Sequence, residues 1–120
     1  MRLLDEMRAA IDADGTGLLL SIAVPAGDNR SFFDAANFES ALDFFNLMSY
    51  DFHGGSFEGE MNGPLRSQTP IVDCTTRADG SRVDIDTALQ EFLNQGVPVY
   101  KINLGLATYG RTWSIDSAGG

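Results

Sequence analysis

The sequence holds one cysteine, Cys74, and one histidine, His53. A lone thiol cannot close an internal disulfide, and a lone imidazole does not assemble a zinc site, so neither a disulfide framework nor metal chemistry is expected. Cys74 reads as a bystander thiol and His53 as a loop hydrogen-bonder. No apolar run approaches the ~18 to 20 residues that span a bilayer. The longest, Leu18 to Ala26, is broken by Ser21 and Pro25. Bases are scarce, with 8 Lys and Arg against 17 Asp and Glu, a formal charge of -9. That surplus repels phosphate backbones and anionic lipid, so neither nucleic acid nor a membrane is expected as a partner. Asp5 and Glu6 stand where a secretory leader would stay uncharged, so the first residues read as a helix, not as a cleavable signal.

What is present is a chain of 120 residues, 43% hydrophobic, enough for one small globular domain covering 1–120. Leu3, Leu4, Met7 and Ile11 recur at helical spacing before the turn signal Asp14-Gly15. Leu18 to Val24 is a nearly continuous apolar run, which suits a strand covered on both faces, with Pro25 as its stop. Phe32, Phe33, Ala36 and Phe38 are expected to pack locally, and Phe44 to Met48 forms a second strand. Residues 53–80, with five glycines and two prolines, read as one long loop, and a loop of that length usually serves a site. Asp86 is expected to cap a helix whose apolar stripe is Leu89, Phe92 and Leu93 and whose end is marked by Gly96 and Pro98. Ile102 to Leu106 is the third strand. This alternation is that of an α/β fold with a parallel sheet, and three strands fall short of the eight that close a parallel barrel.

Two segments carry a more specific signal. LDFFNLMSYDFHGG, Leu42 to Gly55, ends an apolar strand in Met-x-Tyr-Asp followed by an aromatic, His and Gly. DTALQEFLNQGVPVYKINLGLATYGRTW, Asp86 to Trp113, runs from a helix into a strand that closes in Tyr-Gly-Arg-x-aromatic. Together, in this order, they resemble the sixth and seventh strands of the family-18 glycoside hydrolases (chitinases and chitinase-like proteins). LLLSIAVPAG, Leu18 to Gly27, resembles that family's fifth strand, so the resemblance covers essentially the whole chain. It implies a partial (β/α)8 barrel, about strands five to seven with intervening helices.

The resemblance also implies a chemistry. Family-18 enzymes are exceptions to two-carboxylate glycoside hydrolysis: the substrate's own 2-acetamido oxygen attacks the anomeric carbon, with retention. The protein then supplies an acid and a positioner. By the family pattern the positioner is Tyr50, supported by Asp51, with Met48 as an apolar wall. Tyr109 and Arg111 face the same cleft, with Arg111 able to pair with Asp51, and Ala23 leaves room for the sugar. Met48 and Tyr50 are two apart, so they share a strand face. The acid belongs to an Asp-x-x-Asp-x-Asp-x-Glu motif that does not occur in these 120 residues. Val83-Asp84-Ile85-Asp86 is no substitute, because Ala88 stands where the glutamate is needed, and it reads as a capping element. No cofactor, metal or specific protein partner is implied. The implied ligands are chitin or chito-oligosaccharides, and the implied location of the parent is extracellular.

Without the resemblance, Met48 and Tyr50 would be ordinary core residues and Asp51 a turn former. Three functions therefore stand side by side. The chain is part of a hydrolase of β-1,4-linked N-acetylglucosamine polymers, or part of a non-catalytic chitin-binding relative in which Tyr50, Asp51 and Trp113 hold sugar, or a small doubly wound interaction domain unrelated to sugars.

Overall fold

A computed structural model describes residues 2–26, 34–52 and 84–110. The loop expected over 53–80, together with Phe32, Phe33, His53, Cys74, Arg111 and Trp113, lies outside them. The first helix, α1, spans Arg2–Asp14, followed by strand β1, Ser21–Pro25. Two single-turn 3-10 helices, Ala35–Asn37 and Glu39–Ala41, lead into β2, Phe44–Met48. Helix α2, Ile85–Asn94, a 3-10 turn at Val99–Lys101 and strand β3, Ile102–Leu104, complete the order. The three strands form one parallel sheet in the order β1-β2-β3. Neighbours in the chain are thus neighbours in the sheet, as in a stretch of a parallel barrel.

Alternation along the strands divides the sheet into two unlike faces. In register, Val24 lies beside Leu47 and Ile22 beside Phe45, which in turn lies beside Ile102. These side chains belong to the core, where Phe45, Phe52 and Phe92 are its largest fully buried members. The Phe45 and Phe92 rings meet edge to face with centroids 6.1 Å apart, joining β2 to α2. Burying a phenylalanine is worth roughly 1.5–3 kcal/mol, so these rings dominate the cohesion of the unit. The opposite face carries Ala23 beside Asn46 and Pro25 beside Met48, with Asn46 beside Asn103. Asn103 Nδ2 donates to Asn46 Oδ1 at 3.0 Å.

Several expectations need correction. Leu18 and Leu19 are 59% and 66% exposed and precede β1; they are not part of it. Their place in the pairing is taken by a side chain: Asp43 Oδ2 accepts the Leu20 N–H at 2.7 Å, while the Asp43 N–H donates to the Leu20 carbonyl at 2.8 Å. Within the described residues β1 is covered on one face only, because Ser21 and Ala23 remain exposed. On α1 the inward residues are Leu4, Arg8 and Ile11, whereas Met7 is 41% exposed. The helix is turned toward Arg8 because its guanidinium has fixed acceptors, Asp43 Oδ2 at 2.9 Å and the Leu18 carbonyl at 3.2 Å. β3 ends at Leu104, and Leu106 is 83% exposed. Of the residues expected to pack before β2, Phe38 rests against the core but Ala36 is exposed, with Ala35 buried instead.

The cap of α2 is also displaced. Asp84, not Asp86, is the N-cap; its Oδ1 accepts the Thr87 N–H at 2.7 Å. Asp86 is an exposed first-turn residue. At the other end the Gly96 N–H donates to the Leu93 carbonyl and the Val97 N–H to the Phe92 carbonyl, the paired bonds of a Schellman motif. Gly96 adopts φ 89, which a side chain would strain, and Val97 returns to the core beside Phe92 in the same cluster.

Candidate functional site

The carboxyl ends of β2 and β3 hold the candidate site. Past Met48 the backbone makes two successive three-residue turns, Ser49 N–H to the Leu47 carbonyl at 2.9 Å and Tyr50 N–H to the Met48 carbonyl at 2.9 Å. Asp51 then takes φ 60, the only positive φ of a non-glycine residue among the described residues, in a region that aspartate tolerates better than most. Phe52 turns back and is fully buried. The consequence is an anchored strand end on which Met48 and Tyr50 are half-buried and Asp51 is exposed.

Tyr50 has a partner across the sheet. Its ring meets that of Tyr109 at a centroid distance of 6.2 Å and an interplanar angle of 78°, an edge-to-face contact. Tyr109 lies beyond β3 and is 49% exposed, so the pair has a buried flank and an open one. Of the six residues singled out in the sequence, Tyr50 and Tyr109 are thus in contact. Met48 ends β2 on the same sheet face as Ala23, which sits one register layer lower on β1. Asp51 follows Tyr50 directly. Arg111, and with it the pairing to Asp51, lies outside the described residues.

Two residues that sequence reasoning passed over tie this end together. The buried Ser49 donates its hydroxyl to the Gly105 carbonyl at 2.8 Å, and the Gly105 N–H donates to the Leu47 carbonyl at 2.8 Å. The β2–β3 ladder is thereby extended beyond the strands. A signal for Gly105 was present, since an isolated glycine in an apolar strand pattern marks a close backbone approach. Ser49 had none beyond being a small polar residue between Met48 and Tyr50.

An open groove of about 350 Å³ lies at the opposite, amino-terminal end of the strands, lined in part by Arg8, Asp12, Asp43 and Lys101. Its charges serve one another. Arg8 Nε stands 3.0 Å from Asp12 Oδ1 without hydrogen-bond alignment, and Lys101 Nζ donates to the Glu39 and Leu42 carbonyls and pairs with the Glu39 carboxylate at 2.7 Å. The Leu20 amide, then the Arg8 guanidinium and the charge of Lys101, hold the Asp43 carboxyl below its ordinary range against the opposing effect of desolvation. In parallel barrels this end serves stability and the carboxyl end serves chemistry, so this groove is not the candidate site. Among the described residues no cluster of His, Cys, Asp and Glu is arranged to hold a metal, and no helix is long and apolar enough to cross a membrane.

Comparison with known proteins bears on what this strand-end arrangement serves. The profile of the family described as Glycosyl hydrolases family 18 matches residues 1–120. Chitinase 1 of Aphanocladium album is 36% identical over 121 residues, covering 92% of this chain and 27% of its own length. The chitinase-like protein Idgf3 of Drosophila simulans is 31% identical over 119 residues, with 98% and 26% covered. Among solved structures, the chitinase domain of the spore coat protein CotE from Clostridium difficile superposes with a TM-score of 0.70 at 30% identity, over 91% of this chain and 30% of that one. The chain therefore spans less than a third of the length of each of these relatives.

Proposed function

Because this chain belongs to glycosyl hydrolases family 18, we propose that it is about strands five to seven of a chitinase-type (β/α)8 barrel and holds one wall of a cleft for β-1,4-linked N-acetylglucosamine chains. Its parent hydrolyses such polymers outside the cell by substrate assistance. The observation that carries the reading is the Tyr50–Tyr109 contact at the carboxyl ends of adjacent parallel strands. A ring braced on one side presents its phenol in a restricted arc. A phenol O–H donated to the acetamido oxygen would hold that oxygen in line with the anomeric carbon, and such alignment supplies much of the effect of an intramolecular nucleophile. Met48 offers an adaptable apolar surface to the sugar ring. Asp51, on the left-handed corner after Tyr50, accepts hydrogen bonds from the sugar or its amide, and Arg111 assists from beyond β3.

The chain carries no Asp-x-x-Asp-x-Asp-x-Glu motif, so the proton donor is not among these residues. General acid catalysis is commonly worth about 100- to 10,000-fold, and the chain alone is therefore expected to bind without turnover. Calorimetry with chitotetraose, alongside a chromogenic chito-oligosaccharide assay, tests this. Heat without hydrolysis, with heat diminished in Tyr50→Phe, supports the reading. Hydrolysis by the chain alone would overturn the assignment of the acid to residues beyond it, and absence of heat would overturn the cleft.

A second reading, a non-catalytic chitin-binding relative, is favoured by the similarity to a chitinase-like protein at nearly the level of the similarity to a chitinase. The two diverge at one place. An in-frame Asp-x-x-Asp-x-Asp-x-Glu upstream of Met1 makes the parent a hydrolase, and replacement of its glutamate makes it a binding protein.

A further inference from the structure

The glycines of the described segments are not alike. Gly15, Gly17 and Gly96 have φ values of 68, 69 and 89 and nothing near the position a Cβ would occupy, so they serve the backbone. Gly105 is the reverse. Its φ lies outside the left-handed region, yet a Cβ there would stand 2.8 Å from Tyr50 Cε1 and 2.8 Å from the Leu47 carbonyl oxygen. Real Cβ atoms do not approach other atoms so closely, and one of the two obstacles is backbone already engaged by the Gly105 and Ser49 N–H groups. The backbone obstacle cannot retreat without breaking the end of the β2–β3 ladder. The ring is the part able to yield.

We infer that Gly105 is a positioning residue for Tyr50: the missing side chain makes the seat for the ring's Cε1 edge, as Tyr109 makes its other support. Ser49 fixes the seat by donating its buried hydroxyl to the Gly105 carbonyl, so the glycine backbone cannot drift from the ring. The ring is thus held between a backbone surface and an aromatic edge, both beyond the end of β3, while its own Cα lies just past the end of β2. Any side chain at position 105 would push the phenol outward, away from Gly105. The inference rests on the reading of Tyr50 as a sugar-positioning residue, but the packing itself can be tested without sugar.

The experiment is NMR on the 120-residue chain with labelled tyrosine rings. The sequence has three tyrosines, so the Tyr50 signals are those lost in Tyr50→Phe. In the wild-type chain an NOE is expected between the Gly105 Hα protons and the Tyr50 ring. In Gly105→Ala the Tyr50 resonances move while those of Tyr100 stay, and the chitotetraose Kd rises on the order of tenfold, the effect of losing about one well-placed hydrogen bond. A lowered melting temperature with Tyr50 resonances unmoved would make Gly105 merely structural and overturn the inference. So would absence of the wild-type NOE, which decides the matter by itself if the alanine variant does not fold. If the NOE and the resonance shift are both present but no variant binds sugar, the seat stands and the sugar reading falls.

Discussion

Removing the Asp84 side chain should weaken α2 far more than removing that of Asp86, although the two acids stand two residues apart at the same helix end. Asp84 is fully buried, has extended backbone dihedrals of φ -151 and ψ 169, and gives Oδ1 to the Thr87 N–H at 2.7 Å. Asp84→Ala takes away the acceptor and leaves that N–H unserved at a part-buried position. Loss of an N-cap costs about 0.5–2 kcal/mol, and an unsatisfied buried donor carries a penalty of about 1–3 kcal/mol. The expected loss is therefore near the upper end of the capping range, about 1.5–2 kcal/mol. At ~1.4 kcal/mol per factor of ten, the opening equilibrium of α2 rises roughly ten- to thirtyfold. Asp84→Asn keeps a side-chain oxygen at the cap and should cost a few tenths of a kcal/mol, since Asn and Asp cap about equally well. Asp86→Ala loses only a favourable charge near the helix N-terminus, about 0.3–1 kcal/mol, or at most about fivefold. Amide hydrogen exchange at Leu89, Phe92 and Leu93 reads all three variants on one scale. An Asp86→Ala effect equal to or larger than that of Asp84→Ala would refute the reasoning.

Two further outcomes follow from the core and from the amino-terminal end of the sheet. Phe92→Ala removes a fully buried ring packed on Phe45 and should cost about 3–5 kcal/mol; a urea midpoint shifted by the equivalent of less than ~1 kcal/mol would show that α2 is not seated on β2. Asp43 has its carboxyl pKa held below the ordinary value by the Leu20 N–H and Arg8. The folded state therefore binds this proton less readily than the unfolded chain, and the stabilisation is fully present above about pH 4 and lost as pH falls through the folded pKa. A series of thermal melts from pH 6 downward should show a decline below about pH 4 that Asp43→Asn flattens, and an unchanged slope in that variant would remove Asp43 from the account.

Much of the architecture could be read from pattern. β2 occupies the residues that the apolar run Phe44 to Met48 marked, and Gly96 ends α2 where a left-handed residue is needed. Of the Val83-Asp84-Ile85-Asp86 segment, the described residues Asp84 to Asp86 do open a helix, although the capping side chain is Asp84. Family membership was legible too, because Met-x-Tyr-Asp and Tyr-Gly-Arg stand in order along the chain and resemble the signatures of the family whose profile matches it.

Long-range partners were not legible. Periodicity assigned Met7 to the buried side of α1 and treated Leu18 and Leu19 as strand, because an apolar count cannot know that Asp43, 35 residues from Arg8, supplies the acceptor that turns the helix and takes over the Leu20 amide. Tyr50 and Tyr109 were each visible as strand-end residues, but the contact between their rings arises only when β2 and β3 lie in register. The sequence alone determined the order of the main helices and strands and the parallel class, since those depend on local period and turn chemistry. Tertiary structure decided which acid caps α2, which face of α1 turns inward and why position 105 has no side chain. Each of those depends on an atom brought close by packing, and no spacing along the chain encodes it.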